Sequence, residues 1–388
     1  TFTELNGAHS VDTFTIGSNT YAIVTAHSDD GVQIIDVSGL GVSSQGSPFS
    51  GILARDAETD GTNSFTELDG ARNVATYTIA SATASELSLS STNYAIVAAY
   101  ADNGIQMIDI GVPTAIVAKD SETDGVNGFD KLEGAYGIAT FTISSNSTYR
   151  GAIVTGNVDN SVMSVDITNP NAIFEKDVET DGDNSFTELE GARGVATWTV
   201  GSSTYAIVVS QTDDGVQIID ISNPAAIAAK DSATDGANGF TELNGAHSVD
   251  TFTIGSSIYA IVTSVDDDGV QLIDISDPTA IVALDAETDN ANGFTELDGA
   301  GGVDTFTCGK RTYAIVSSNV DDGVQIIDIS NPTAIVAIHS ATDGSNGFTE
   351  LDGARNVHMI TIGGVEYAIV TANIDDGVQI IEPSCSRD

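Results

Sequence analysis

The segment Phe-Thr-Glu-Leu, or a close variant, recurs seven times, starting at Phe2, Phe65, Phe129, Phe186, Phe240, Phe294 and Phe348. The successive spacings are 63, 64, 57, 54, 54 and 54 residues. A period near 50 residues means that each unit is one supersecondary module, able to bury its apolar face only against its neighbours. Seven tandem units over residues 1–388 therefore read as one closed or stacked array, a single domain rather than two or three independent ones.

The fifth unit shows what the module contains. Gly245–Ile254 is rich in β-branched and aromatic residues and stops at Gly255, which reads as a first strand. Tyr259–Ser264 reads as a second. Asp267-Asp268-Gly269 follows, and Asp-Gly between two apolar runs is a hairpin signal. Val270–Ile275 is a third strand, Ser276-Asp277-Pro278 turns the chain, and Ala280–Leu284 is a short fourth strand. No segment carries a helical period. Four short antiparallel strands, repeated seven times, predict an all-β fold, a seven-bladed β-propeller. A β-solenoid fits less well, since its repeats are shorter and lack three turns per unit. Radial packing also explains why the strands are apolar on both faces.

Tyr-Ala-Ile-Val followed by Asp-Asp-Gly-Val-Gln-Ile-Ile-Asp-Ile-Ser-Asn-Pro resembles the LVIVD-type repeat of bacterial and archaeal surface propellers, over nearly the whole chain. The resemblance implies a propeller in an extracellular or cell-surface setting. It implies no catalytic motif and no particular ligand.

Charge narrows the partners. The formal net charge is −44, from 56 acidic residues against 12 Lys and Arg. A duplex needs a basic footprint to displace its counterions, so nucleic acid is excluded as a partner, and anionic membranes are disfavoured for the same reason. Cations are the natural counterparts. Of the 56 acids 40 are Asp, a residue of turns and calcium loops; the same balance also suits a protein bathed in salt. No run of 18 apolar residues predicts a membrane span. The chain begins at Thr1, which suggests a processed chain or a fragment.

The acids concentrate between units. From Asp56 the chain places Asp56, Glu58, Asp60 and Glu67 at positions 1, 3, 5 and 12, with Gly61 at 6: the spacing of an EF-hand calcium loop. Asp177, Glu179, Asp181 and Glu188 repeat the set. Asp231, Asp235 and Glu242 keep three of the four; Asp285, Glu287, Asp289 and Glu296 keep all four but have Asn290 for Gly; Asp120, Glu122 and Asp124 are followed by Lys131 at position 12. The sixth segment, from His339, retains Asp343, Gly344 and Glu350. Position 8 is Asn where EF-hands carry an apolar residue, and strands flank the segment, so the expectation is several EF-like Ca2+ sites. The competing reading is a plain Asp-Gly turn whose carboxylates cap backbone amides. The paired Asp residues of the hairpin turns (Asp29-Asp30, Asp213-Asp214, Asp267-Asp268, Asp321-Asp322, Asp375-Asp376) are explained by turn geometry. The third-strand Asp36, Asp109, Asp166, Asp220, Asp274 and Asp328 are expected to cap the turn that follows.

Within the common frame one position varies: the residue after Gly-Ala is His9, Arg72, Tyr136, Arg193, His247, Gly301 and Arg355. It should lie at the top of the innermost strands, at the channel mouth, where Arg and His could grip a carboxylate, sulfate, phosphate or glycan. Alternatively each Arg neutralises nearby loop acids such as Glu67 and Glu188. A second varying position, one layer deeper, reads Asp12, Ala75, Ala139, Ala196, Asp250, Asp304 and His358. No nucleophile elbow, Cys-His pair or zinc set appears. A calcium-dependent hydrolase or lactonase would need His9, His247, His358 and Asp12 to meet across the ring, and no residue is assigned as catalytic.

If the Asp-Asp-Gly turns define the top face, the two insertions, Gly39–Pro48 and Ala80–Asn93, fall at the bottom as flexible loops. So do Cys308 and Cys385, for which a disulfide stapling units six and seven is expected. Six units supply a fourth strand, whereas the seventh ends at Glu382–Asp388 without one. An open sheet edge is a template for pairing with another chain. The sequence thus predicts a secreted or surface calcium-binding propeller acting as a binding or adhesion module, or else a subunit of a surface layer or filament.

Overall fold

In unit five the strands are Ala246–Ile254, Ser257–Ser264, Gly269–Asp274 and Val282–Thr288, paired antiparallel in that order. The computed structural model describes residues 2–40, 51–79 and 92–384 of the chain. Six such four-stranded sheets and one three-stranded sheet form a seven-bladed propeller, with the first strand of each unit against the first strands of its neighbours around the axis. Most of both insertions, together with Cys385, lies outside the described residues. Cys308 ends the first strand of blade six and packs beside the cluster joining blades six and seven.

Two details differ from the sequence reading. The second hairpin is not a two-residue Asp-Gly turn. In unit five Ser264 pairs with Gly269, so the loop has four residues, and the one with positive φ is Asp268 (φ 55). Glycine is needed at 269 for another reason: a Cβ there would collide with the Glu242 carboxylate. The tight two-residue turn is at the other end of the blade, where Gly255 (φ 66) connects Ile254 to Ser257. The fourth strand is also later and longer than expected. A bulge between Leu272 and Ile273 lets Asp285-Ala286-Glu287-Thr288 continue the ladder down to Gly269. The first residues of each acidic segment are therefore strand, not loop.

No blade has a core of its own. The buried residues form seven clusters, each shared by two consecutive blades. In the first of these, Phe14, Ile23, Val32 and Ile34 of blade one meet Phe65, Leu68, Val74 and Val97 of blade two. The Phe of the Phe-Thr-Glu-Leu segment is the wedge; Phe65, Phe129, Phe186 and Phe294 are essentially inaccessible to solvent. The last cluster closes the ring by joining Leu5, Val11, Val24 and Ile35 to Ile360, Tyr367, Ile369 and Ile380. Gly7 N–H donates to Asp376 (3.0 Å) and the Thr371 hydroxyl to His9 O (3.0 Å) across the same seam.

Polar links repeat with the apolar ones. A buried third-strand Gln, such as Gln106, accepts from the Thr66 N–H (3.1 Å) and donates to Asp120 O on the fourth strand (3.0 Å). The third-strand Asp residues accept from the backbone two residues on, as expected, for example Ser276 N to Asp274 (2.9 Å). The second Asp of a hairpin loop reaches the next blade: Asp30 accepts from Gly70 N (3.0 Å) and Asp214 from Gly245 N (2.9 Å).

Candidate functional site: the axial channel and its mouth

The inner strands begin at the top face, so the residue after each Gly-Ala is the first to turn toward the axis. The variable side chains meet there in one network. The His9 Nδ1–H donates to Arg72 O (2.9 Å) and the His247 Nδ1–H to Gly301 O (3.3 Å), which leaves both Nε2 atoms as acceptors. Arg355 uses them: its Nε donates to His9 Nε2 (3.3 Å) and its Nη2 to His247 Nε2 (3.1 Å) and to the Tyr136 hydroxyl (3.2 Å). The Arg72 and Arg193 guanidinium groups lie 5.6 and 5.0 Å from the Tyr136 ring centre, and Arg72 also covers Tyr100 at 5.1 Å. Tyr136 is thus the hub of three cations.

The cluster is buried, with 5% of His9, 6% of Tyr136 and 6% of His247 exposed. Burial, reinforced by Arg355, drives both imidazoles well below the ordinary histidine pKa, so they are neutral. Burial alone would raise the Tyr136 phenol, but Arg355, Arg193 and Arg72 outweigh it and make the phenol more acidic than usual. Among the described residues no carboxylate lies within ion-pair distance of Arg72, Arg193 or Arg355; the ion pairs go to Arg55, Lys119, Lys131, Lys230, Arg311 and His358. The expected neutralisation by Glu67 and Glu188 does not occur. The Nε atoms of Arg72 and Arg193 are buried with no hydrogen-bond partner. In a chain of net charge −44, three guanidinium groups without an ion pair thus lie together; Arg72 Nη2 donates to His27 Nε2 (3.2 Å), and the Asp266 charge acts on Arg193 from beyond ion-pair distance.

Three residues further along the inner strands, ~10 Å deeper at the usual strand rise, lies a second layer. It lines an axial cavity of about 270 Å³ with Asp12, Asp250, Asp304 and His358 on one side and Ala75 and Val195 on the other. His358 sits between two carboxylates, Nε2 at 3.5 Å from Asp12 and Nδ1 at 3.4 Å from Asp304, with the Thr13 hydroxyl at 3.1 Å. Desolvation, then the nearby Asp304 charge, pushes Asp250 up to about 7; desolvation likewise pushes Asp304 up to about 6. The histidines expected to meet across the ring are therefore divided: His9 and His247 join at the mouth, while His358 and Asp12 join below.

The acidic segments are arranged differently from a calcium loop. Asp56, Asp120, Asp177, Asp231 and Asp285 each accept from a backbone N–H of the next blade, at Ile116, Ile173, Ile227, Ile281 and Ile335 (2.7–2.8 Å). Glu58, Glu122, Glu179 and Glu287 accept from the Asn five residues on, the position-8 Asn that is foreign to EF-hands. Asp60, Asp124, Asp181, Asp235 and Asp289 cap the N–H of the Leu eight residues later. Glu67, Glu188 and Glu296 accept a Thr hydroxyl from their own fourth strand. Among the described residues no group of three or more carboxylate, His or Cys side chains is placed to hold a metal ion.

No family model matches the chain, and no curated protein matches its sequence. Solved structures do resemble it. A provisional 6-phosphogluconolactonase from Bacteroides fragilis is 13% identical, with a TM-score of 0.56 over 86% of this chain and 84% of its own. A functionally unknown protein from Desulfotomaculum acetoxidans is 12% identical, with a TM-score of 0.56 over 96% and 89%. The periplasmic gluconolactonase of Pseudomonas aeruginosa is 12% identical, with a TM-score of 0.53 over 86% and 96%. At these identities the likeness establishes the propeller fold.

The strapping glutamates have a consequence for pH. Burial, helped by neighbours such as Asp102 and Asp60 beside Glu67, pushes Glu67, Glu188, Glu242 and Glu296 up to about 7. An acid whose folded pKa exceeds its unfolded one binds more protons when folded, so its contribution is complete below about pH 4.5 and is lost as pH rises through about 7. The melting temperature should fall between pH 5 and 7.5, and replacing all four residues by Gln should flatten that part of the profile. An unchanged slope in the Gln variant would contradict the assignment.

Proposed function

We propose that this protein is a binding propeller whose channel mouth takes the anionic group of a small ligand, a carboxylate, phosphate or sulfate. The observation that carries this reading is the convergence of Arg72, Arg193 and Arg355 on Tyr136 with no carboxylate partner among the described residues. Desolvated guanidinium groups with unused N–H donors are costly unless an anion completes them. Guanidinium forks bind carboxylate and phosphate oxygens in pairs, and the buried Nε donors of Arg72 and Arg193 are available for this. His9 and His247, neutral and held by backbone carbonyls, fix Arg355 without cancelling its charge.

Isothermal titration with inorganic phosphate, citrate and 6-phosphogluconate tests the reading. At least one should bind, and Arg193→Gln should weaken it about tenfold or more, the scale of a lost charge-assisted hydrogen bond. Absence of binding by all three, or affinity unchanged in Arg193→Gln and Arg72→Gln, would contradict it.

A second reading, hydrolysis of a lactone, is favoured by His358 between Asp12 and Asp304 in the axial cavity. Two of the similar structures bear lactonase names, which agrees with it. In this reading His358 Nε2 takes the proton of a water attacking the lactone carbonyl, a neighbouring carboxylate balances the imidazolium, and the proton returns to the ring oxygen as its bond to the acyl carbon breaks, leaving a hydroxy acid. Release of acid from glucono-lactone, followed by pH-stat, should then exceed the spontaneous rate and drop to it in His358→Asn. A rate at background in the native protein would remove the hydrolase.

Calcium at the acidic segments, and a secreted or surface setting, belong to the same proposal as its cation and its location. Calcium is supported by the density of raised carboxylates at the top face, Glu67, Asp69 and Asp102 among them. Coordination would require those side chains to leave the backbone and Asn partners they now have. A melting temperature indifferent to chelator would exclude it.

A further inference from the structure

Blade seven ends in an edge strand, Gly377–Ile381, and the described residues give it no outer partner. The other blades define what belongs there, because their fourth strands make the same three contacts repeatedly. The third-strand Gln donates to a fourth-strand carbonyl, as Gln217 does to Asp231 O (2.9 Å) and Gln325 to His339 O (2.8 Å). A fourth-strand Asp carboxylate accepts from an Ile N–H of the following blade, seen five times. A fourth-strand Thr hydroxyl donates to the strapping Glu of the same blade, seen for Glu67, Glu188 and Glu296.

In blade seven the groups on the chain's own side of these contacts are present, and their fourth-strand partners, two acceptors and one hydroxyl donor, are not among the described residues. Gln379 accepts from Thr349 N (3.3 Å) and donates to Ile380 O (3.1 Å), but it has no fourth-strand carbonyl. Glu350 lies over Gly377, as the other glutamates lie over their glycines, without a Thr hydroxyl among the described residues. Ile52 of blade one, at the place of Ile116 in blade two, has no carboxylate acceptor for its N–H among the described residues. Beside the edge is a cavity of about 230 Å³ lined by Val324, Ile326, Phe348, Ile381 and Pro383, and by His339, which replaces the Asp of the other fourth strands.

We propose that the edge of blade seven is a binding site for an extended partner segment that enters antiparallel to Gly377–Ile381 and carries Asp and, three residues later, Thr. Five of the six fourth strands of the chain, such as Val282-Ala283-Leu284-Asp285-Ala286-Glu287-Thr288, supply the pattern; the sixth has His339 in place of Asp. In the blade-five register its Thr lies opposite Gly377 and its Asp opposite Ile380. The Asp then caps Ile52 N–H and ties the partner to blade one, the Thr reaches Glu350, and a backbone carbonyl completes Gln379. Apolar burial alone would admit many strands; these three polar contacts select one kind.

The test tethers the segment Val-Ala-Leu-Asp-Ala-Glu-Thr-Asp through a flexible Gly/Ser linker after Asp388 of the full chain, so that weak affinity is offset by effective concentration. Hydrogen exchange should slow at the Gly377–Ile381 and Ile52 amides, and the melting temperature should rise. The Asp→Ala tether should lose Ile52 protection, and the free peptide should bind about tenfold more tightly than its Asp→Ala form. Equal behaviour of native, Asp→Ala and scrambled tethers would overturn the proposal. So would edge amides already protected in the untethered protein, whether in a monomer, where the chain's own flank covers the edge, or in a dimer, where a second copy does.

Discussion

Every buried cluster in this molecule belongs to two blades, and the rest of the structure depends on that sharing. A single 54-residue unit exposes an apolar surface on each side of its sheet and can cover neither alone. Stability therefore comes from the ring as a whole. The strongly acidic composition stays compatible with folding because most of the carboxylates described here are used: they cap amides, accept from Asn and Thr, or hold the next blade's backbone. Charge density is here a by-product of repeating one polar scaffold seven times.

The same sharing explains where function can reside. Positions that hold blades together are constrained to be alike, and the Phe, Gln, Asp and Glu of the frame recur in most units, with Met163 for Gln and Lys131 for Glu in unit three and His339 for Asp in unit six. The inner-strand positions facing the axis carry no such duty. There the units diverge, giving three arginines, two neutral histidines and a tyrosine at the mouth, and carboxylates with one histidine below. The two layers have opposite character. A molecule with an anionic head and a polar, uncharged body would match both.

Much of this was legible in the sequence because period and turn residues are local signals. The seven repeats starting at Phe2 through Phe348, five of whose Phe side chains are buried wedges, the antiparallel meander and the three-stranded last sheet among the described residues follow from counting. The variable ring was legible by comparing units, and its members do converge. What spacing could not show was direction. Asp56, Glu58, Asp60 and Glu67 have calcium-loop spacing, yet two lie on a strand and the four turn to four different partners. The Asn at position 8, foreign to an EF-hand, was the signal: Asn63 is the donor that Glu58 needs. Similarly, Gly269 read as a turn residue because Asp-Gly usually is one, whereas its lack of a side chain makes room for Glu242. Asp56 capping the Ile116 N–H and Gly269 making room for Glu242 are contacts between segments distant in sequence, which no local pattern encodes.

The functional reading depends most on the three guanidinium groups without an ion pair at the channel mouth. Diffraction from crystals soaked in a heavy oxyanion such as tungstate or selenate, with anomalous data, addresses it directly. An anomalous peak is expected on the axis within hydrogen-bond distance of at least two of Arg72, Arg193 and Arg355. An empty mouth at saturating anion, with the guanidinium groups still stacked on Tyr136, would contradict it.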